Sequence, residues 1–286
     1  MKKIGLAWLF ATVSVFAKVT VVVSILPQET FVKKIAGEHV DIVTMVLPGH
    51  EPHNYEPKPS QMKKLSKADL YFSIGVEFEK TWLDKFHSQN KKLIIVDSAK
   101  GIKKMKMASH HHHEEGGEYE EHGAHSGLDP HVWLSPSNVK IIAKNMYHAL
   151  VKADPDHQAE YKKGYEVFLS EIDKTDKQIK DILKEAKPHS KFLVFHPAFG
   201  YFAKEYHLIQ VPIQVEGKEP TPKGLVHIIN ESKEEKVKAI FVSPEFSDKS
   251  AKIIANELGI KVLKFSSLDP QWSQNLIAIA KAIAGK

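Results

Sequence analysis

The chain has 286 residues and no cysteine, with 40 Lys and Arg against 35 Asp and Glu, a formal charge of +5 at pH 7. That length allows two domains or one large one, enough to bury a core without disulfides. A cysteine-free chain has no thiolate metal ligands, and lysines that fall mostly beside acids, without basic stripes interleaved with aromatics, argue against nucleic-acid binding.

Met1-Lys2-Lys3 precedes an apolar run over 4–16, and Val15 and Ala17 form a small-x-small site. This is the pattern of a signal peptide over 1–17, with the mature chain starting at Lys18. The run is shorter than the roughly 20 residues that a bilayer span needs. Removal of the signal predicts a soluble protein of a Gram-negative periplasm, and the lack of cysteine leaves no lipidated anchor.

Short β-branched or apolar runs over 19–25, 40–46, 70–74 and 93–96 predict strands, with helical sequence after Gln28, Ser60 and Thr81. Near-continuous apolar strands separated by helices indicate a parallel sheet covered on both faces. Phe78, Trp82 and Phe86 have helical spacing and are expected in the core, while Glu77 and Glu79 beside them are candidates to orient a cleft histidine. A segment over 108–127 then breaks the pattern. It carries His110, His111, His112, His113, His122 and His125 among carboxylates and glycines, six imidazoles within sixteen residues. Such a composition builds no core and suits a divalent transition metal. The four consecutive histidines lie far from either terminus, unlike an expression tag.

From Pro136 the sequence becomes charge-rich and helical. One amphipathic helix is expected over 137–152, closed by Asp154-Pro155. A second runs over 156–187, with Tyr161, Tyr165, Phe168, Ile172, Ile179 and Leu183 spaced three, four or seven apart. At 1.5 Å per residue it would span roughly 45 Å, a stiff strut between domains. Beyond it, strands over 191–195, 208–212, 239–242 and 261–263 alternate with helices after Pro197, Pro222, Ser247 and Pro270. The fold class is therefore α/β: an N-terminal lobe over 18–155, a linking helix over 156–187 and a C-terminal lobe over 188–286, each lobe a mostly parallel sheet flanked by helices. No internal repeat is evident in the sequence.

Three histidines stand out by position. His53 lies in Leu47-Pro48-Gly49-His50-Glu51-Pro52-His53-Asn54-Tyr55-Glu56-Pro57, His131 in Asp129-Pro130-His131-Val132-Trp133, and His196 in Phe195-His196-Pro197-Ala198-Phe199-Gly200-Tyr201. Each sits at a strand-to-helix junction or in the loop after one, where open α/β sheets bind ligands. Asn54 and Tyr55 are expected to shape the first of these loops.

These three blocks, together with Glu219-Pro220-Thr221-Pro222, occur in the order seen in the metal-binding substrate-binding proteins of ABC transporters, and the chain resembles that family over nearly its whole mature length, most closely its zinc-binding members. The resemblance implies a metal site in the cleft between lobes, with His53 and His131 as ligands from the first and His196 from the second. Asp269, in Ser267-Leu268-Asp269-Pro270, matches the place where many relatives supply a carboxylate, a place that zinc members can leave to water; Glu51 is a further candidate. Three imidazoles with at most one carboxylate suit tetrahedral Zn²⁺. Manganese-carrying relatives put a Glu at the third histidine, so His196 favours zinc as the transported ion. The implied partner is the membrane permease of the transporter, with the protein itself a monomer. A secreted zinc hydrolase would share the three-histidine arrangement, but the sequence has no H-E-x-x-H motif and no general base beside the histidines except Glu51, so binding without turnover is expected.

Overall fold

The computed structural model describes residues 18–107, 127–214, 219–235 and 237–286. The signal segment and the six loop histidines, His110 to His125, lie outside them. Strand β1 (Val19–Val23), helix α1 (Leu26–Ala36), β2 (Val40–Thr44), α2 (Pro59–Leu65), β3 (Leu70–Ser73), α3 (Glu77–Gln89) and β4 (Ile94–Asp97) make the first lobe. Its four strands are all parallel, in the order β2-β1-β3-β4. Val21, Val22 and Val23 of the central strand are fully buried, whereas the edge strand β4 is half exposed. Helices cover both faces of a parallel sheet, and this is why its inner strands read as unbroken apolar runs.

The second lobe is built from β5 (Lys191–Val194), α6 (Gly200–Glu205), β6 (Ile209–Pro212), α7 (Pro222–Glu234), β7 (Ala239–Val242), α8 (Lys249–Leu258), β8 (Lys261–Lys264) and α9 (Trp272–Ala284). Its strand order, β6-β5-β7-β8, repeats that of the first sheet, again all parallel. The repetition is therefore one of topology, carried by two unlike sequences. In each sheet the order reverses beside the first strand, between β1 and β3 and between β5 and β7, which opens a crevice at the strands' carboxyl ends.

Between the lobes run α4 (Pro136–Ala153) and α5 (Gln158–Leu183). Ser135 caps α4 by accepting from Asn138 N at 3.2 Å, with Pro136 in the first turn where its missing N–H costs nothing. Asp154 ends α4 and receives the Tyr161 hydroxyl at 2.5 Å and His157 Nδ1 at 2.7 Å, so one carboxylate ties the turn to α5. Helix α5 has 26 residues, about 39 Å at 1.5 Å per residue, and stops short of the expected end. The turn at Ala186 N to Leu183 O (2.9 Å) closes it, and Pro188 disfavours helical backbone at Lys187.

Helix α5 is not a bare strut. It packs against α1, α4 and α9. Phe31 of α1 meets Phe168 at a centroid distance of 5.4 Å and Trp272 of α9 at 5.7 Å, edge to face. One continuous core thus runs from the first sheet through α4, α5 and α9 to Phe192, Val194 and Phe241 of the second. Leu193, Phe195, Ile240 and Val242, the alternate residues, point to the other face and form a smaller core with α8.

The α1–α5 contact depends on a glycine. A Cβ at Gly164 would lie 2.2 Å from the carbonyl oxygen of Ile35, an atom of the α1 backbone that cannot swing aside. Alanine elsewhere in a helix gains up to about 1 kcal/mol over glycine. At Gly164 the overlap reverses the sign: Gly164→Ala should lose about 1–3 kcal/mol in urea unfolding. A stabilised variant would show that the two helices can separate freely.

Candidate metal centre

Three loops at the carboxyl ends of the strands supply the site. The first follows β2. Gln61 of α2 donates to Thr44 O (2.9 Å) and Met45 O (2.7 Å) and accepts from the Tyr55 hydroxyl (2.8 Å), so the buried Tyr55 pins the far side of the loop to the end of the strand. Phe78 of α3 adds an edge-on contact to Tyr55 at 5.7 Å, and its N–H donates to Pro52 O at 3.2 Å. His53, next to Pro52, is thereby held over the cleft. Phe78 and Phe86 lie in the core as expected and Trp82 is half buried against it.

The second loop carries His131 and Asp129, both almost wholly buried. Asp129 Oδ1 accepts from His131 N at 2.9 Å and pairs with His131 Nδ1 at 2.8 Å. A carboxylate only accepts, so Nδ1 carries the proton and the Nε2 lone pair is turned to the cleft. The other oxygen, Asp129 Oδ2, has no hydrogen-bond partner among the described residues and lies against Gly200 of α6, where any Cβ would come within 2.9 Å of it. The same α6 sends the Tyr201 hydroxyl to Asp129 O at 2.9 Å, and that hydroxyl accepts from Met105 N at 3.0 Å. The His131 loop is therefore gripped from the second lobe.

His196 lies two residues past β5, at the point where the second sheet reverses its order. Its Nδ1 meets Gln214 Oε1 at 3.1 Å, and Phe246 lies flat on its ring, 5.1 Å away at 22°. Gln210 shapes the turn by accepting from Phe199 N at 3.0 Å.

These three side chains converge: one ligand nitrogen from each of His53, His131 and His196 lies within 4.8 Å of the others. His53 Nε2 and His196 Nε2, from different lobes, are 3.4 Å apart. With zinc–nitrogen bonds of about 2.0–2.1 Å, two ligands of a tetrahedral ion stand about 3.3 Å apart. The His53–His196 pair thus already has the spacing of two ligands on one ion, with His131 within 4.8 Å of both.

Three carboxylates stand at different removes. Glu51 Oε1 lies 3.7 Å from His53 Nε2. Its carboxyl is held above the ordinary range, first by burial and then by the negative charge of Glu245, with His131 opposing. Glu245, from the loop after β7, is fixed by Ser266 Oγ at 2.9 Å and by Ser243 Oγ. Asp269, read from the resemblance as the fourth ligand, is not among the residues whose donor atoms meet at the centre. Its Oδ1 instead accepts from Gln271 N at 2.7 Å and shapes the turn into α9.

Glu77 and Glu79 serve other ends than orienting a histidine. Glu77 pairs with Lys80 at 2.9 Å on the surface. Glu79 is buried at the first sheet's own reversal point, accepting from Ser24 Oγ (2.5 Å), Ile74 N (2.9 Å) and Gly75 N (2.8 Å). Burial pushes its carboxyl up to about 7 against those hydrogen bonds. Gln214 and Phe246 were not legible as site residues, since only the tertiary fold brings them to His196. The flanks of the histidine-rich segment meet in an isolated antiparallel bridge, Lys106 to Leu128, with Met107 N donating to Gly127 O at 3.2 Å. The segment therefore leaves and returns beside Asp129 and His131.

The family model described as zinc-uptake complex component A, periplasmic (ZnuA) matches residues 21–284. The high-affinity zinc uptake system protein ZnuA of Bacillus subtilis is 33% identical over 88% of this chain and 79% of its own length. A crystal structure of ZnuA superposes with a TM-score of 0.84 at 38% identity, covering 94% of this chain and 99% of that one. A ZnuA variant lacking residues 138–173 of its own numbering, with zinc bound, gives 0.82 at 38% identity, over 94% and 97%. With a family model spanning nearly all of the chain, and two lobes and a long helix that superpose on solved members, the chain belongs to the ZnuA family of substrate-binding proteins of ABC transporters.

Proposed function

We propose that this protein captures Zn²⁺ in the cleft between its lobes, outside the cytoplasm, and delivers it to the membrane permease of an ABC transporter. The observation that carries the reading is the 3.4 Å approach of His53 Nε2 to His196 Nε2, with His131 completing a triangle of imidazoles. Neutral nitrogen donors suit zinc better than manganese, which prefers oxygen. The zinc-bound ZnuA structure and the zinc-uptake relatives support the same ion. Among the described residues no helix is long and apolar enough to cross a membrane, which suits a protein that must meet a separate permease.

The chemistry is binding and release without turnover. The ion is cargo: it displaces protons from the imidazoles on arrival, and its release is favoured when they are protonated again. Affinity should therefore fall as the pH is lowered, because protons compete with the ion for the three imidazoles. For the fourth position we favour Glu51 over Asp269. Its oxygen is 3.7 Å from a ligand nitrogen, close to the edge of a zinc tetrahedron, whereas Asp269 is engaged at α9. Water could share the position.

Histidines 110–113, 122 and 125 are read as a weak collector. The segment's flanks are fastened next to His131, so an ion held there is kept at high local concentration near the cleft.

Competition titration against a chromophoric chelator tests the centre. His131→Ala or His196→Ala should weaken zinc binding by more than about a hundredfold, and Asp129→Asn, which removes the negative charge beside Nδ1 while keeping an amide oxygen to accept from it, by about 10–100-fold. Unchanged affinity in either histidine variant would refute the assignment. Glu51→Gln should weaken binding clearly more than Asp269→Asn; the reverse order would return the fourth position to Asp269. Deleting 110–125 should slow uptake at limiting zinc while leaving the affinity of the cleft intact, and normal uptake would exclude the collector role.

A further inference from the structure

An imidazole binds a metal only through a nitrogen that carries no proton, so each histidine of the centre has to present the right one of its two tautomers. His131 is set by Asp129, two residues away in its own loop. His196 has no such help nearby, for Val194, Phe195, Pro197 and Ala198 on either side of it carry no polar side chain. Its Nδ1 partner comes from the neighbouring strand.

Strands β5 and β6 pair in parallel, with Lys191 opposite Ile209 and Val194 opposite Pro212. The ladder continues past both strands: Ile213 N donates to Val194 O at 2.8 Å and Gln214 N to Phe195 O at 3.0 Å. In that register Gln214 is the residue opposite His196, and residues opposite each other on neighbouring strands turn their side chains to the same face. The buried Gln214 thereby brings its Oε1 to 3.1 Å from His196 Nδ1, while Phe246 lies flat on the ring at 5.1 Å. An amide oxygen only accepts, so Nδ1 holds the proton. His196 Nε2, 3.4 Å from His53 Nε2, is left with its lone pair toward the cleft. With the proton on Nε2 instead, the same ring in the same place would give the ion no bond.

We infer that Gln214 is a positioning residue of the second lobe: it selects the tautomer of His196 that can bind zinc, and it does so before the ion arrives. The inference rests on the zinc-capture reading. The sheet, and not the ligand's own loop, supplies the hydrogen bond, so the register of β5 against β6 sets the proton of a ligand as well as its place. Slipping β6 by one residue would turn the amide to the other face of the sheet.

Histidine labelled with ¹⁵N reports the tautomer directly in the full mature chain, metal-free and at mildly alkaline pH, where the neutral form of imidazole prevails. The His196 signal is the one missing from His196→Ala. Wild type should show it in the Nδ1–H form. Gln214→Leu, close in size but without an acceptor, should give a mixture of both forms and weaken zinc binding by about 10–100-fold in chelator competition. Gln214→Glu, which keeps the shape and can only accept, should hold the Nδ1–H form and bind zinc at least as tightly as wild type. Thermal unfolding of the metal-free proteins shows whether each variant keeps the fold; should Gln214→Leu not fold, the tautomer in wild type and in Gln214→Glu still decides. A wild-type His196 with its proton on Nε2 overturns the inference, as does wild-type affinity in a folded Gln214→Leu. Equal losses in the two variants with the tautomer unchanged would mark a merely structural contact and also overturn it. If the wild type binds no zinc, the capture reading itself is wrong, whatever the tautomer.

Discussion

Two imidazole nitrogens from loops 143 residues apart in sequence come within 3.4 Å of each other, and most of the structure is needed to keep them there. Such a distance leaves little tolerance. A shift of 1 Å between the lobes would take His53 and His196 out of reach of a common ion with bonds of about 2.0–2.1 Å. A flexible hinge between independent domains would not hold that spacing. The lobes instead share one core, in which Phe31, Phe168 and Trp272 join α1, α5 and α9.

Polar contacts across the junction add direction to that packing. Trp133 Nε1 donates to Ser267 O and Trp272 Nε1 to Trp133 O, each at 2.7 Å, so two buried indoles lock the His131 segment to the loop ahead of α9. Glu205 of α6 receives Ser137 N at 3.1 Å and the hydroxyls of Ser135 and Ser137, at the start of α4. Hydrogen bonds of this kind contribute individually only about 1 kcal/mol, but they have fixed geometry where apolar packing does not. Shared core and crossed hydrogen bonds together explain how a site split between two lobes is nearly preformed.

Much of this was legible in the sequence because the signals were local. Both sheets could be read from β-branched runs, for a strand buried on both faces leaves an unbroken apolar stretch, and β7 has the bounds expected. Starts of helices were harder. Helix α3 begins at Glu77 and not after Thr81, since Glu77 and Glu79 form its first turn, where negative charge is favourable. The three histidines were found because each follows a strand or lies in a proline-bounded loop. Asp269 was placed by resemblance; in the fold its Oδ1 accepts from Gln271 N, and its oxygens are not among the donor atoms that converge with the three histidines. Gln214 and Phe246 carried no local signal, since their role exists only once β6 and β7 lie on either side of β5.

The repeated strand order bears on why the site is asymmetric. Both sheets open a crevice at the same topological point, yet only the second places one of the three candidate ligands there, His196 just past β5. In the first, the equivalent position is filled from within by Glu79, bound by Ser24, Ile74 and Gly75. A carboxylate so buried and so fully hydrogen-bonded is unavailable to a cation in the cleft, and it closes the crevice by tying the ends of β1 and β3 to the start of α3. The first lobe then has to reach the ion by longer loops, His53 after β2 and His131 beyond β4, and both need bracing: the first from Tyr55 and Gln61, the second from Asp129 and, across the junction, Tyr201. The dependence of His131 on a side chain of the opposite lobe follows from that closed crevice, and it makes the interface between the lobes part of the candidate metal centre.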